Sequence, residues 1–266
     1  MTHPRRHLLT ILWALLPLTL TAQVGNMRHN LAVGITGGPG LSLVDFSPTV
    51  KQSFPWLLGG SGGMVMRYTS ERYFSMLCAL QLEVNYTQRG WQEYIDDGTL
   101  NTYSRTTNYV EVPFLAHLAW GKEDRGAQFF FNAGPAIGWY LSSREAYGYS
   151  DEYPWSPTSR PNTVLYQYGD WGYDADGYLT PYRPDGTLYG AYAPTQPGKE
   201  IENRLEYGIE AGLGGELRTA IGNITAEVRF FYGLSDMFGN SKADDFGRSA
   251  NQTLSFKLGY LFDITR

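Results

Sequence analysis

Side chains alternate strictly along residues 73–90, YFSMLCALQLEVNYTQRG. One face is apolar from Phe74 to Tyr86, and the other is mostly polar and includes Glu83 and Arg89. Successive side chains of a β-strand point to opposite faces, so this stretch predicts a strand with one apolar and one polar surface. A soluble sandwich would bury the apolar surface, whereas a membrane barrel would turn it outward to lipid.

Seven further stretches alternate in the same way, and no convincing helical periodicity interrupts them. Together the sequence predicts eight strands, at residues 30–37, 62–69, 73–90, 108–120, 127–141, 204–218, 223–234 and 252–264. Pro113 lies inside the fourth stretch, where it removes a hydrogen-bond donor from the ladder. We therefore expect a bulge or a local distortion at Pro113.

The first residues have the pattern of a secretory signal peptide. Arg5 and Arg6 precede an apolar run over residues 8–20, and Ala22 follows as a small residue suited to cleavage. The run is shorter than the ~20 residues that a transmembrane helix needs. We expect a signal peptide over residues 1–22, cleavage near Ala22, and a mature barrel over residues 23–266.

Composition narrows the function classes. Charged residues make up 18% of the chain, aromatic residues 15%, and the net charge is −5. Without a basic patch there is no electrostatic footprint for nucleic acid. Cys78 is the single cysteine, which excludes an internal disulfide and any cysteine-rich metal site. Phosphate-loop, zinc-binding and catalytic spacings are absent, so we expect no enzyme activity, no cofactor and no metal site.

The predicted polar faces carry many ionisable groups. A soluble core would not enclose them unless they paired, but the lumen of a small barrel can, although a soluble sandwich could also expose them to water. We predict a paired lumen charge network, with the histidine as a hydrogen-bonded filler, that consists of Arg67, Glu83, Arg89, Glu111, His117, Glu206, Glu210, Glu216, Arg218, Glu227, Arg229 and Lys257.

The connections between predicted strands alternate in length, which decides between the two alternatives. Three are tight, at residues 70–72, 121–125 and 220–223, and four are long, at about 38–57, 90–105, 142–203 and 235–250. Short periplasmic turns and long outer loops are typical of outer-membrane barrels. The sequence therefore predicts an all-β fold: an eight-stranded antiparallel up-and-down transmembrane β-barrel in the outer membrane of a Gram-negative cell, with its apolar faces against lipid.

Aromatic side chains lie near the predicted strand ends on the apolar faces. Amphipathic rings favour the headgroup level of a bilayer, so we expect these residues to form two girdles. They are Tyr68, Tyr86, Trp120, Trp139, Tyr207, Tyr232, Tyr260 and Phe262.

The chain resembles the PorT-type outer-membrane β-barrel proteins, often labelled porin-family proteins. The resemblance rests on GGMVMRYTSERYFSMLCALQLEVNYTQRGWQE, NYVEVPFLAHLAWG, FFFNAGPAIGW, YGIEAGLGGELR and the closing FDITR. It covers roughly residues 30–142 and 201–266. The resemblance implies an eight-stranded barrel in a Gram-negative outer membrane and, as the alternative function, a role as an accessory of a secretion apparatus. Outer-membrane barrels commonly end in an aromatic residue that the assembly machinery recognises, whereas this chain ends in Arg266. We expect Phe262 to serve as that residue.

The third outer loop, residues 143–200, matches no part of that family. It is rich in tyrosine and tryptophan, which form contact surfaces at low entropic cost. Asp176-Gly177 and Asp185-Gly186 predict hairpin turns that extend above the barrel. The candidate contact residues are Tyr153, Trp155, Tyr168, Trp171, Tyr173, Tyr178 and Tyr182.

An eight-stranded barrel is only wide enough for side chains to fill its interior. We therefore expect a closed, charge-paired lumen in a protein whose outer loops contact a surface protein, a glycan or another surface polymer. The alternative is a small pore or an accessory that contacts secretion components. In both cases outer-membrane lipid surrounds the barrel.

Overall fold

A computed structural model describes residues 25–47, 49–50, 52, 56–94, 102–123, 125–148, 171–173, 179–181, 200–241 and 246–265. The predicted signal peptide and most of the third outer loop therefore lie outside the described residues. Within the described part, no helix is long and apolar enough to cross a membrane.

Eight long strands form a closed antiparallel barrel, which confirms the predicted fold class. Each strand pairs with its neighbours along the chain, and the last pairs with the first through contacts such as Ile35 with Tyr260. The barrel strands are β1 (Asn26–Ser47), β2 (Leu57–Tyr73), β3 (Met76–Tyr94), β4 (Thr102–Gly121), β5 (Gly126–Gly148), β8 (Leu205–Arg218), β9 (Asn223–Gly233) and β10 (Arg248–Asp263); β6 (Trp171–Tyr173) and β7 (Leu179–Pro181) are short.

The apolar faces point out of the barrel, and the polar faces point into it. Burial alternates residue by residue along β9, where Val228 is 44% exposed and its neighbour Arg229 is 2% exposed. The stretch at residues 73–90 behaves in the same way, because Leu80 and Val84 are exposed while Glu83 is buried. The outward surface is therefore the one that lipid would cover.

Three short turns lie at the barrel end where the described chain also begins and ends. They follow β2, β4 and β8, at residues 74–75, 122–125 and 219–222. The prediction of a turn at residues 70–72 was wrong: β2 and β3 stay paired as far as Tyr73 and Met76. A register shift between Thr69 and Glu71 absorbs the difference, and Phe74 turns the chain with a positive φ of 53°.

At the other end six strands run further than predicted, whereas β8 and β9 are each one residue shorter, and the loops are shorter as a result. They span residues 48–56, 95–101, 149–204 and 234–247. Residues 38–40, which were predicted to begin a loop, belong to β1. A Cβ at Gly38 would lie 1.9 Å from the Phe256 carbonyl oxygen, so this glycine permits close approach of two strands.

Pro113 does not form a bulge. The β3–β4 register is the same on both sides of it, from Leu82↔Phe114 to Asn85↔Glu111. The two intervening pairs are missing from the ladder, as expected where proline offers no N–H. The irregularity between β4 and β5 lies at Asn108 and Tyr109 instead.

The third outer loop contains one short hairpin in its described part. β6 pairs antiparallel with β7, with Gly172 opposite Thr180, and the predicted Asp176-Gly177 lies between them in sequence. The turn residues themselves and Asp185-Gly186 lie outside the described residues.

Candidate functional site

The lumen holds three layers of inward-pointing side chains. Ion pairs lie at the mouth on the short-turn side, buried charge networks fill the middle, and an apolar cluster closes the end on the long-loop side. Because side chains alternate between the two faces of each strand, the middle layer draws its charged residues from six strands, β2, β3, β4, β8, β9 and β10.

The largest network is centred on Arg229 of β9. Its guanidinium lies 2.8 Å from Glu83, 2.7 Å from Glu227 and 3.1 Å from Glu210. The ammonium of Lys257 contacts Glu83 at 2.8 Å. All five side chains are at least nine-tenths buried. The network joins β3, β8, β9 and β10 across the barrel, so it holds opposite walls together.

A second network is centred on Arg89 of β3. Its guanidinium contacts Glu111 at 2.5 Å and Glu206 at 3.1 Å. Asn251 donates from Nδ2 to Glu206 at 2.6 Å. The guanidinium also lies 4.2 Å from the ring centroid of Phe231, a cation–π contact that fills the space beside it.

A third network lies closer to the short turns. Arg67 pairs with Glu216, and Arg218 donates from Nε to the other oxygen of Glu216 at 3.0 Å. His117 donates from Nδ1 to Asn132 Oδ1 at 2.7 Å, and the centroid of its ring lies 4.9 Å from that of Phe130. These contacts indicate that His117 fills space in the lumen and has a structural role.

The structure thus places all twelve residues of the predicted network in the lumen. Eleven of them make ion pairs within the three networks. His117 joins them indirectly, since Asn132 also donates to Glu227 at 3.0 Å.

An ion-pair cluster at the short-turn mouth was not predicted. Glu123, in the turn between β4 and β5, pairs with Arg28 of β1 and at 2.9 Å with Arg72 of β2. Arg218 donates to the Glu123 carbonyl oxygen at 2.9 Å. The hydrogen bond from Arg28, with the charges of Arg28 and Arg72, lowers the pKa of the Glu123 carboxyl. The turn is thereby tied across the mouth.

We expect Glu123→Gln to lower the thermal unfolding midpoint of the refolded protein by a few degrees at neutral pH. Folding lowers the pKa of this carboxyl, so its ion pairs stabilise the fold at any pH above the pKa of the unfolded chain, near 4.5. That stabilisation is lost as the pH falls through the lower pKa of the folded protein. The difference between wild type and variant should therefore vanish on acidification. A difference that persists in acid would contradict this account of the cluster.

The apolar cluster at the long-loop end was also not predicted. Strand ends contribute Trp91 and Tyr103, while the loops fold inward to add Ile201, Met237 and Phe238. The full set is Val44, Phe46, Val50, Trp91, Tyr103, Ile201, Met237, Phe238 and Phe246. These residues form an outer plug above the charge networks. Two buried charged side chains contact it: Glu93 accepts from Trp91 Nε1 at 2.5 Å, and the Arg105 guanidinium lies 6.0 Å from the centroid of the Trp91 ring.

Hydrogen bonds hold the loop at residues 234–241 in this position. Ser249 accepts from the Phe238 N–H at 3.0 Å, and Asp236 accepts from the Ser249 N–H at 2.7 Å. Asn203 donates to the Asp236 carbonyl at 2.9 Å. The outer plug is therefore an ordered part of the barrel.

The candidate contact residues of the third loop are mostly not described. Tyr153, Trp155, Tyr168, Tyr178 and Tyr182 lie outside the described residues. Trp171 and Tyr173 belong to β6, of which the structure gives the backbone pairing.

No group of three or more histidine, cysteine, aspartate or glutamate residues in the described part could hold a metal ion. The inward carboxylates instead face arginine and lysine. Their arrangement supports structural ion pairing rather than metal coordination.

Comparison with known proteins supports the membrane setting. Residues 21–239 match the model of a family described as outer membrane protein beta-barrel domain. Among solved structures, the chain is similar to Ail, the attachment invasion locus protein of Yersinia pestis, at 11% identity, covering 88% of this chain and 100% of that one with a TM-score of 0.34.

Two other solved structures are similar over comparable lengths. Neisserial surface protein A is 12% identical, with 87% of this chain and 97% of that chain covered and a TM-score of 0.34. OprG from Pseudomonas aeruginosa is 10% identical, with 90% and 98% covered and a TM-score of 0.37. No curated protein sequence matches the chain.

Proposed function

Since the chain belongs to the outer membrane protein beta-barrel domain family, we propose that it is a closed barrel that presents its outer loops to a partner or surface polymer. In this proposal residues 1–22 are a signal peptide that is removed near Ala22, and the barrel serves as a rigid support. The long-loop end then faces the cell exterior.

The filled lumen carries this proposal. At the outer end Trp91 is fully buried among aromatic neighbours, and in the middle Arg229 bridges opposite walls. An open pore requires a continuous water-filled path, which side chains block in a barrel of eight strands. A barrel that does not conduct leaves its exposed loops as the part available for function.

The composition of the third loop narrows the class of partner. Residues 149–199 contain nine tyrosines, two tryptophans and seven prolines, with six acidic against three basic residues. Tyrosine offers a flat apolar face and a hydroxyl with little entropy to lose on binding. The acidic balance disfavours sulfated or phosphorylated polymers. We therefore propose a neutral glycan as the favoured partner.

The test is binding by purified protein to an array of neutral and sulfated glycans. The deletion should remove residues 150–199 and leave β5 intact, because β5 continues to Gly148 and Glu145 pairs with Arg105. A linker of about ten Gly and Ser residues spans the gap, since Gly148 lies about eight strand residues beyond the contact between Tyr140 and Arg204.

We expect neutral glycans to bind the wild type and not the deletion variant, while both remain heat-modifiable barrels. Trp171→Ser with Tyr173→Ser provides a milder variant that should weaken binding. Equal binding by wild type and deletion variant would contradict a role for the loop.

We also propose, as the alternative function, that the chain is a PorT-type protein that acts as an accessory of a secretion apparatus. This alternative rests on the resemblance over roughly residues 30–142 and 201–266. Secretion that continues normally in a strain lacking this protein would remove the accessory role.

A further inference from the structure

Three strands extend the barrel wall beyond the lipid-facing surface on one side of the molecule. β3 and β4 stay paired as far as Tyr94 and Thr102, and Thr102 is opposite Gly148 of β5. β8, the next strand around the barrel, begins only at Leu205, opposite Trp139. Above that level the wall on this side consists of β3, β4 and β5.

The apolar outward surface of these three strands has the height of a bilayer core. It runs from the row Met76, Trp120, Phe129 to the row Tyr86, Val110, Trp139. Along β3 the two rows are ten residues apart. At about 3.3 Å per residue and a strand tilt of about 40°, this distance is a height of about 25 Å, which is that of the apolar band of outer-membrane barrels. Residues beyond Tyr86 therefore lie outside the hydrocarbon.

Beyond this upper row the outward side chains are amides and hydroxyls, with one cation. They lie in register, since Asn108 is opposite both Gln88 and Ser142, and Thr106 is opposite Arg144. All of them are at least partly exposed. This polar outer face consists of Gln88, Gln92, Ser104, Thr106, Asn108, Ser142 and Arg144.

Side-chain contacts hold the extension in one conformation. On its inward side Arg105 contacts Glu145 at 3.3 Å and donates from Nη2 to Ser143 at 3.1 Å. On the polar outer face Asn108 donates from Nδ2 to Ser142 at 3.0 Å. A ligand on this face therefore meets a surface that is already ordered, which lowers the entropic cost of binding.

The height of the polar outer face distinguishes between two kinds of lipid headgroup. Gln92 lies six residues beyond Tyr86. This distance is a height of about 15 Å above the hydrocarbon. A phospholipid headgroup layer is only about 5–8 Å thick and would leave the upper half of the face in water. A headgroup built of several sugar units would cover the whole face.

We propose that the polar outer face binds the phosphorylated oligosaccharide headgroup of the lipopolysaccharide that surrounds the barrel. The face continues the lipid-facing surface upward, so the acyl chains and the headgroup of one molecule contact the same three strands. Amides and hydroxyls both donate and accept hydrogen bonds, as sugar hydroxyls do. Arg144 supplies a cation for a phosphate group. This interface is separate from the third loop and from the partner proposed for it.

The test is native mass spectrometry of the full chain, refolded in detergent, with two lipids. One is a lipopolysaccharide that carries inner-core sugars, and the other is phosphatidylglycerol, which is anionic but lacks them. The test variant combines Thr106→Val, which removes a hydroxyl at nearly constant shape, with Arg144→Ala. Arg125→Ala is the matched control for charge, because Arg125 is exposed in the short turn at the other end of the barrel.

We expect the wild type to bind lipopolysaccharide more tightly than phosphatidylglycerol. The double variant should bind lipopolysaccharide about tenfold more weakly and change much less toward phosphatidylglycerol. Arg125→Ala and the variant lacking residues 150–199 should bind lipopolysaccharide as the wild type does.

Three results would overturn the proposal. The first is equal binding of both lipids by the wild type, and the second is undiminished lipopolysaccharide binding by the double variant. The third is a loss of equal size in Arg125→Ala or in the loop deletion, since these would assign binding to overall charge or to the third loop.

Discussion

Arg229→Ala is expected to destabilise the barrel more than any other single change in the lumen. The substitution leaves Glu83, Glu210 and Glu227 buried with Lys257 as their remaining cation. Breaking one buried ion pair from one side typically costs about 3–5 kcal/mol, and here three carboxylates lose the same partner. We expect the free energy of unfolding in lipid vesicles, measured by urea titration, to fall by at least about 3 kcal/mol.

Arg248→Ala is the matched control. Arg248 pairs with Asp45 at 2.6 Å, but both side chains are more than one-third exposed at the outer rim. An exposed pair of this kind contributes less than about 1 kcal/mol. Arg229→Lys should restore part of the lost stability because it returns the positive charge. Equal effects of the Arg229 and Arg248 alanine variants would contradict a stabilising lumen network.

Trp91→Ala is expected to have the second largest effect, through the outer plug. Its ring is fully buried and lies 5.3 Å from the ring of Phe46 and 6.5 Å from that of Phe238. Removing a buried tryptophan side chain typically costs about 3–5 kcal/mol. We also expect faster amide hydrogen exchange and proteolysis in the loop at residues 234–241, because Phe238 loses the surface against which it packs.

Trp139→Ala provides the comparison for that experiment. Trp139 is 52% exposed on the lipid-facing surface of β5, near the predicted outer girdle. Its loss should weaken insertion into the bilayer slightly and leave exchange in the loop unchanged. Loop exchange that rises equally in both variants would show that the outer plug does not hold the loop.

The barrel was predictable because its determinants are local and periodic. Along β3, alternation alone places Glu83 and Arg89 on one face and Leu80 and Val84 on the other. In a membrane barrel every backbone N–H and C=O group must be hydrogen-bonded within the sheet, and polar side chains must avoid lipid. Inward residues are therefore mostly polar and outward residues mostly apolar. The same pattern identified the residues of the three charge networks in the middle of the lumen, but it missed the buried Glu93 and Arg105, which lie outside the predicted strands.

The ion-pair cluster at the short-turn mouth and the outer plug depend on long-range contacts, which the alternation of side chains along a strand does not predict. Glu123 meets Arg28, which lies 95 residues away in sequence. Val44 and Phe46 belong to residues 38–57, which were predicted to form a loop. The continued alternation of Trp91 and Glu93 past the predicted end of β3 was the available signal for the longer strands. The inward position of Phe238 depends on hydrogen bonds that the loop makes with Asn203 and Ser249.

The most direct test of a closed barrel is the conductance of the refolded wild-type protein in a planar lipid bilayer. The outer plug, the charge networks and the ion-paired mouth together predict no steady single-channel current. The variant lacking residues 150–199 should be equally silent, because the closures lie within the barrel. Steady, reproducible channel openings in the wild type would contradict the account and would make the inward glutamates and arginines candidates for ion selectivity.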